Sequence, residues 1–334
     1  MRIPYDELVA EFNRVLIKKG FDETDALEAA KIFADNSVDG VYSHGVNRFP
    51  RVVSYIEKGY IKPDKKAIRV GGSGGFERWD GQLGMGNLNA KRCMDRAVEL
   101  AGEYGVGVVA LGNNNHWMRG GYFGWQAADA GCIGICWTNT MPNMPAWGGK
   151  DRRIGNNPFI IAIPRSNGEH VVIDCAMAQF SYGKIEECRL KKIPLPVVGG
   201  YDSNGNVTTD PAEIEKTWRV LPIGYWKGSG ISIALDLVAT VLSGGLSVTA
   251  VGKKCEEEYA LSQMLIAIDP RHVAAQNISD MLINEVIDDI KASEPATEGG
   301  KILYPGEPEI LTRRDNLANG IPVLEEIWAQ IKAM

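Results

Sequence analysis

Two of the four histidines lie in polar, glycine-rich segments of the kind that can act on a substrate. His44 is followed four residues later by Arg48. An imidazole titrates near neutral pH and can donate a proton to a developing alkoxide, and a guanidinium can hold a carboxylate through two parallel hydrogen bonds. The spacing fits such a catalytic pair, and it fits equally well a helix cap beside a surface arginine.

The second of these histidines, His116, directly follows three asparagines at positions 113–115. The asparagines lie between a predicted strand and a predicted helix, which is typical of a binding loop at the end of a strand. Asparagine also tolerates left-handed backbone, so an ordinary turn is the alternative interpretation. The residues around His170 and His272 indicate a strand edge and the protein surface, and residue type alone gives neither a role.

A carboxylate, Asp174, ends the apolar strand predicted at residues 171–175. Burying a carboxylate is costly unless it is paired, so we expect an imidazolium or backbone amides to meet it. It could orient a histidine and raise the pKa of that histidine, or it could cap the turn that follows. The sequence does not separate these two interpretations.

Signatures of phosphate binding are weak. The chain contains neither a GxGxxG nor a GxxxxGK[ST] motif, so dinucleotide binding by the Rossmann fingerprint is unsupported. Residues 224–230 are better placed, because Lys227 and several glycines precede a predicted helix. A lysine with free amides at a helix start can bind a pyrophosphate, although the ordinary start of a glycine-rich helix explains the segment equally well.

Two other chemistries are disfavoured. Cys132 and Cys136 lie on one predicted strand that is expected to be buried on both faces, with no histidine close in sequence, so we expect no metal site. A serine hydrolase is unsupported because GxSxG is absent and Ser43 adjoins His44 too closely to point at it.

The periodicity of apolar residues predicts the elements that must position these side chains. The first 60 residues form an all-helical unit in which His44 and Arg48 lie at a helix junction, and the dense glycines of residues 71–86 indicate hairpins and turns. The predicted helices are residues 4–19, 23–38, 87–104, 118–130, 229–242, 280–292, 311–319 and 324–331. The predicted strands are residues 106–111, 133–138, 159–163 and 171–175.

Composition limits the class of protein. The chain has 334 residues, a formal net charge of −6 and 45% hydrophobic residues, which is typical of an enzyme-sized soluble protein and argues against nucleic acid as a partner. The start lacks the apolar run of a secretory signal, and the longest apolar stretch is too short to span a membrane. Six scattered cysteines suit a reducing compartment, so we expect a cytoplasmic protein.

Several segments together resemble the malate/L-lactate dehydrogenase family of the second type, whose fold is unrelated to that of Rossmann dehydrogenases. The resemblance covers nearly the whole chain and is far more specific than any single motif. The matching segments are residues 40–51, 115–121, 131–139, 153–158, 180–183 and 221–230.

The resemblance implies an α/β fold in which a helical terminal domain packs beside a central, mostly antiparallel cofactor-binding sheet. It divides the chain into an N-terminal helical domain at residues 1–70, a domain for NAD and substrate at residues 71–304, and C-terminal helices at residues 305–334 that pack on the first domain. It also implies a homodimer.

The implied activity is the NADH-dependent reduction of a small 2-oxo acid, without a metal. His44 matches the proton donor, Arg48 the carboxylate clamp and His116 a second polar residue at the substrate that is catalytic in some relatives. The resemblance also promotes Asp174 and Lys227 to site residues, so the expected catalytic residues are His44, Arg48, His116 and Asp174. The family's cofactor segments correspond to His170, Val171, Val172, Ile173, Asp174, Cys175, Ala176, Trp226, Lys227, Gly306, Glu307 and Pro308. Malate, lactate, sulfolactate or ureidoglycolate would suit the same residues, and a non-catalytic protein that binds sugar acids or nucleotides is the alternative from another class.

Two positions depart from the family pattern. Asn156 stands where we expect threonine, which loosens the assignment of the substrate loop. Glu307 stands where a similar family member has histidine, which could alter cofactor affinity. Neither departure touches His44, Arg48 or His116.

Overall fold

The computed structural model describes residues 1–254 and 257–334, which form an α/β fold around one mixed sheet. The strands are β1 (Arg2–Ile3), β2 (Ile68–Ser73), β3 (Phe76–Asp80), β4 (Val106–Asn114), β5 (Ile133–Thr138), β6 (Met144–Pro145), β7 (Arg152–Ile154), β8 (Phe159–Ile163), β9 (Val171–Cys175), β10 (Gly200–Tyr201), β11 (Val207–Thr208), β12 (Leu261–Ile268) and β13 (Ile321–Pro322). The helices are α1 (Tyr5–Lys18), α2 (Glu23–Val38), α3 (Phe49–Glu57), α4 (Gly86–Tyr104), α5 (Gly121–Asp129), α6 (Tyr182–Leu190), α7 (Pro211–Thr217), α8 (Trp226–Ser243), α9 (Val248–Lys254), α10 (Gln276–Lys291), α11 (Glu307–Asn319) and α12 (Glu325–Ala333).

The main sheet has seven strands in the order β2-β3-β4-β12-β5-β8-β9, so the predicted α/β class is confirmed. The pair β3–β4 is parallel, and every other neighbouring pair in this sheet is antiparallel. Its central strand, β12, was not predicted. Six of its eight residues are fully buried or nearly so, and a strand covered on both faces shows no alternation of polar and apolar residues from which it could be recognised.

Helices cover both faces of this sheet. Side chains alternate along a strand, so Val109 and Leu111 of β4 pack with α4 and α5, whereas Ala110 between them packs with Ala239 of α8. This layering leaves β9 at one edge of the sheet, next to α5.

The N-terminal helices form a second core, to which the end of the chain contributes. The rings of Phe12, Phe33 and Phe49 meet at its centre, with centroids 4.3 Å apart for Phe12 and Phe49. Trp328 of α12 packs into the same cluster, and β1 pairs with β13. The predicted helices at residues 4–19 and 23–38 are confirmed as α1 and α2, with the Asp22 carboxylate capping α2 by accepting a hydrogen bond from the Asp25 amide.

Several boundaries differ from the prediction. α5 begins at Gly121 rather than at residue 118, because Met118 has a left-handed backbone with φ of 70°. α8 begins at Trp226, and the short helices α6, α7 and α9 were not predicted. Within the described residues, no single helix is long and apolar enough to cross a membrane, and one pair, α8 with α9, passes this test only together and across a bend of 78°.

Candidate active site

The segment that carries His44 is held tightly against α2. The hydroxyl of Ser37 accepts a hydrogen bond from the Val46 amide, and the side chain of Asn36 donates to the carbonyl oxygen of His44. A Cβ added at Gly45 would lie 2.2 Å from Ser37 Oγ, so only glycine fits this close approach. The backbone on both sides of His44 is therefore fixed by the helical unit.

His44 and His116 come from different units of the fold and meet face to face. Their ring centroids are 5.7 Å apart, with an angle of 24° between the planes. Arg48 lies at the start of α3, at the helix junction expected from the sequence. The structure thus brings together the three side chains that the sequence analysis singled out for the substrate.

Ser43 was expected to be too close in sequence to point at His44, and this expectation is wrong. The residues 42–44 form a turn of 3₁₀-helix, which brings Ser43 Oγ to 2.9 Å from His44 Nδ1. A hydroxyl can donate or accept, so it can serve this nitrogen in both protonation states of the ring.

The loop that carries His116 is anchored by its asparagines. The side-chain amide of Asn115 donates to the carbonyl oxygens of Leu83 and Gly84, both at 2.9 Å. Asn113 has a left-handed backbone with φ of 51°, as the turn interpretation requires. These asparagines hold the loop in place, and His116 is the side chain that the loop presents.

The ring of His116 is oriented by the backbone after it. The Met118 amide donates to His116 Nδ1 at 2.9 Å. A left-handed φ at a long side chain such as that of Met118 costs free energy, and such strain is retained where the surroundings enforce it. The strained backbone at Met118 therefore keeps the N–H group of this residue directed at the ring of His116.

An acidic residue that the sequence analysis missed, Glu258, completes this side of the site. Its side chain is 12% exposed, and its Oε1 lies 3.7 Å from His116 Nε2. Its Oε2 accepts a hydrogen bond from the Met141 amide at 3.1 Å. Glu258 lies just before β12. Because that strand was not predicted, nothing in the sequence pointed to this residue.

Burial and positive charge shift the titration of both histidines in the same direction. Desolvation, reinforced by the guanidinium groups of Arg48 and Arg119, lowers the pKa of His44 to about 4. Desolvation with Arg48, His44 and Arg51 lowers the pKa of His116 well below its usual value. Both rings are thus neutral at pH 7 before an anion enters, and a bound carboxylate would raise their pKa values by opposing these positive charges.

Asp174 contacts a backbone amide rather than a histidine. Its Oδ2 accepts a hydrogen bond from the Gly121 amide at 2.7 Å, and Arg119 Nε lies 4.0 Å from the same oxygen. Burial raises the pKa of Asp174, while Arg119 and the amide act in the opposite direction. Of the two expected partners, backbone amide and imidazolium, the structure supplies the amide, at the start of α5 rather than in the following turn.

Arg119 connects this carboxylate to the helical unit. Its guanidinium is almost fully buried and pairs with Asp39, which also accepts a hydrogen bond from Arg313 of α11 at 2.6 Å. Because Asp39 ends α2 shortly before His44, a chain of ion pairs joins β9, α2 and α11 around the site.

Two of the expected cofactor segments pack directly on each other. The Val172 amide of β9 donates to the Pro305 carbonyl oxygen at 2.9 Å, and Gly306 follows with φ of +96°. A Cβ at Gly306 would lie 3.0 Å from the Val172 nitrogen and 3.1 Å from the His170 oxygen. Glu307 begins α11 and pairs with Lys291 at 2.5 Å.

The third expected segment lies at the end of the same edge. The Ile223 amide donates to the Met177 oxygen, which continues the edge beyond β9. Tyr225 then adopts φ of 61°, and Trp226 and Lys227 form the exposed first turn of α8. Lys227 thus lies inside the helix start rather than before it.

The other two histidines are His170 and His272, which the sequence analysis placed at a strand edge and on the surface. His170 is buried at the start of β9, where its Nδ1 accepts a hydrogen bond from the Arg165 amide and its Nε2 lies 2.9 Å from Asp129 Oδ1. His272 is exposed, as expected.

Asn156, one of the two departures from the family pattern, accepts a hydrogen bond from the side chain of Asn143 at 2.7 Å.

Comparison with known proteins defines the class of this chain. Residues 3–332 match the malate/L-lactate dehydrogenase family, and the chain belongs to that family of oxidoreductases, which confirms the resemblance seen in the sequence. The 2,3-diketo-L-gulonate reductase of Pasteurella multocida (strain Pm70) is 48% identical over 334 residues, which are 100% of both chains.

Solved structures agree with this assignment. The sulfolactate dehydrogenase of Methanocaldococcus jannaschii aligns with a TM-score of 0.90 and 33% identity, over 100% of this chain and 96% of the other. The malate dehydrogenase of Entamoeba histolytica aligns with a TM-score of 0.94 and 24% identity over the same shares, a likeness that concerns the fold alone.

Proposed function

We propose that this protein catalyses the NADH-dependent reduction of 2,3-diketo-L-gulonate to 3-keto-L-gulonate. The observation that carries the proposal is the grouping of His44, His116 and Arg48 in one desolvated site. This grouping occurs in a chain that aligns from end to end with a reductase named for that substrate.

On the substrate side, Arg48 holds the carboxylate of the 2-oxo acid. The anion opposes the positive charge that lowers the pKa of His44, so the ring takes up a proton when the substrate binds. His44 then donates this proton to the oxygen of the C2 carbonyl as it becomes a hydroxyl group. Ser43 accepts from the protonated ring through Nδ1, which leaves Nε2 to serve the substrate.

On the cofactor side, NADH would be held by β9, the Gly306 turn and the first turn of α8. The proposal is supported by Gly306, whose lack of a side chain lets its turn pack closely on the backbone of β9 and so brings two of these segments together. Lys227 and the helix start supply positive charge suited to a pyrophosphate. When bound, the nicotinamide supplies a hydride to the C2 carbon of the substrate.

The test is NADH consumption by the purified protein with 2,3-diketo-L-gulonate, compared with pyruvate and oxaloacetate. We expect fast and selective oxidation with the diketo acid. Stronger activity with a comparator would retain the reaction and overturn the substrate. No turnover with any acid, together with intact NADH binding, would favour a binding protein and overturn the enzyme.

We infer that the subunit has the three parts expected from the sequence, residues 1–70, 71–304 and 305–334, and that it forms a homodimer. The support for the dimer is that α8 and α10 each expose several large apolar side chains, since exposed apolar surface typically marks interfaces. These side chains are Ile231, Leu237 and Val241 on α8, and Met281, Leu282 and Val286 on α10.

Light scattering of the purified protein tests the dimer. We expect a mass of two chains, and a mass of one chain for Val241→Asp, because Val241 is the most exposed of these side chains, at 75%. A wild-type monomer would overturn this inference.

We also propose a cytoplasmic location. The cysteines in the described part of the chain are free thiols, namely Cys93, Cys132, Cys136, Cys175 and Cys188, which suits a reducing compartment. Fractionation of the native host with an antibody against the protein would test this.

A further inference from the structure

The hydrogen bond to His116 Nδ1 determines which form of this ring the site contains. A backbone amide can only donate, so the Met118 amide at 2.9 Å requires an unprotonated Nδ1. In a neutral imidazole the proton must then lie on Nε2. Protonating the ring would place an N–H group at Nδ1 against the N–H group of Met118, so this loop geometry opposes an imidazolium at His116.

The same contact distinguishes the two stacked rings. His44 Nδ1 faces the hydroxyl of Ser43, which can accept as well as donate, so His44 can hold two protons without losing its partner. The charged groups that face the pair are Arg48, Arg51 and Arg119, together with the carboxylate of Glu258. His44 is therefore the ring able to act as an acid, and His116 is restricted to donating a hydrogen bond.

The group opposite His116 is the carboxylate of Glu258. Glu258 Oε1 lies 3.7 Å from His116 Nε2, which is longer than a hydrogen bond. The other oxygen of Glu258 is occupied by the Met141 amide, which fixes the orientation of the carboxylate. Burial raises the pKa of Glu258, while Arg48, the Met141 amide and Arg51 favour its carboxylate form. As a carboxylate, Glu258 places an acceptor beside the N–H donor of His116.

An atom that contacts both members of this pair must accept from the N–H group and donate to the carboxylate. A carbonyl or carboxylate oxygen can accept but cannot donate, whereas a hydroxyl group does both. We propose that Glu258 is a specificity-determining residue that, together with His116, recognises a hydroxyl group on the substrate close to its reacting carbonyl.

This inference rests on the proposed function and names the substrate class more closely: 2-oxo acids that carry a hydroxyl group near C2. In 2,3-diketo-L-gulonate the nearest such group is the hydroxyl on C4, since C3 is itself a carbonyl. Simple 2-oxo acids such as pyruvate leave the donor and the acceptor without a partner in a desolvated site. A site built to bind a hydroxyl group discriminates against the analogue that lacks it, because its own polar groups then remain unpaired.

The experiment uses substrate pairs that differ by one hydroxyl group: hydroxypyruvate with pyruvate, and 4-hydroxy-2-oxobutanoate with 2-oxobutanoate. We expect the wild-type protein to prefer the hydroxylated member of at least one pair in kcat/KM. Glu258→Met removes the acceptor at similar length and should reduce this preference by about 10- to 100-fold, the usual range for a hydrogen bond to a charged group. Glu258→Gln should also lose most of the preference, because the Met141 amide holds the one remaining oxygen and turns the NH2 group, which cannot accept, toward His116 and the substrate.

Two further variants guard against a merely structural effect. His116→Phe removes the donor and should reduce the same preference, and the effects of His116→Phe and Glu258→Met on it should not add. Glu103→Met, on the exposed end of α4, is the matched control and should keep the wild-type preference. Circular dichroism and NADH binding establish that each variant is folded.

The outcomes are distinct. An equal loss by Glu258→Met on both members of every pair, or a wild-type protein indifferent to the hydroxyl group, would overturn recognition by Glu258 while leaving the reductase intact. A wild-type protein inactive on every 2-oxo acid would overturn the proposed function and this inference with it. Nitrogen-15 NMR tests the tautomer directly: His116 Nδ1 should remain unprotonated from about pH 5 to 9, and a protonated Nδ1 in that range would refute the assignment.

Discussion

The substrate side and the cofactor side of the proposed site differ in the atoms that form them. On the substrate side, side chains converge from distant segments, and each of His44, His116 and Arg48 has a distinct chemical capacity. On the cofactor side, the contacts between β9 and the Gly306 turn are largely made by backbone atoms. Substitutions that remove a functional group should therefore damage the first side most, and substitutions that add atoms should damage the second.

The largest effect is expected from His44→Ala. Removing the proton donor should lower kcat by about 10²- to 10⁴-fold, the usual contribution of general acid catalysis, and should change NADH affinity far less. Steady-state kinetics and fluorescence titration with NADH measure the two quantities. The control is His272→Ala on the surface. A kcat close to that of the wild type would remove His44 from the mechanism.

The pH dependence of the reduction should be nearly as large. Because burial and the neighbouring arginines lower the pKa of His44 to about 4, the protonated fraction of the free protein falls above that pH. We expect kcat/KM to fall about tenfold per pH unit between roughly pH 5 and 8.

The same slope should persist in His116→Gln, since that ring is not the acid. A profile that is flat up to about pH 6.5 would mean that the acid has an ordinary pKa, and one that is flat up to about pH 8 would mean a raised pKa. It would contradict the electrostatic description of the substrate side.

On the cofactor side, Gly306→Ala should weaken NADH binding about tenfold or more. The new Cβ meets the backbone of β9, and φ of +96° strains any other residue by about 1–3 kcal/mol. Gly299→Ala is a matched control, because Gly299 has φ of +72° but open space around it. Equal effects of the two variants on NADH affinity would attribute the loss to backbone strain alone and not to contact with β9.

The smallest effect on turnover is expected from Asn115→Ala, which removes the side-chain donor to the carbonyl oxygens of Leu83 and Gly84, the second of these bonds being buried. The free energy of unfolding should fall by about 2 kcal/mol, measured by urea denaturation. A loss of kcat as large as that of His44→Ala, with unchanged stability, would show that this loop contributes more to the chemistry than the orientation of His116.

How far the sequence predicts this molecule depends on the range of the contacts involved. α1 was predicted because it buries one face and exposes the other, which leaves a regular pattern in the chain, and the start of α2 was predicted because Asp22 is a residue type that caps helices. β12 was missed because both of its faces are covered by parts of the fold far away in sequence. Glu258 was missed with it, since no motif connects that residue to His116.

The sequence by itself determined the family, the helical ends of the chain, the spacing of His44 and Arg48, and the glycine at position 306. These are properties of residue type and local spacing. Only the tertiary structure decided that His44 stacks on His116, that Asp174 meets the Gly121 amide, and that Glu258 faces the second ring. Tautomers and lowered pKa values depend on burial and on charges brought together by folding, and a linear sequence does not contain those distances.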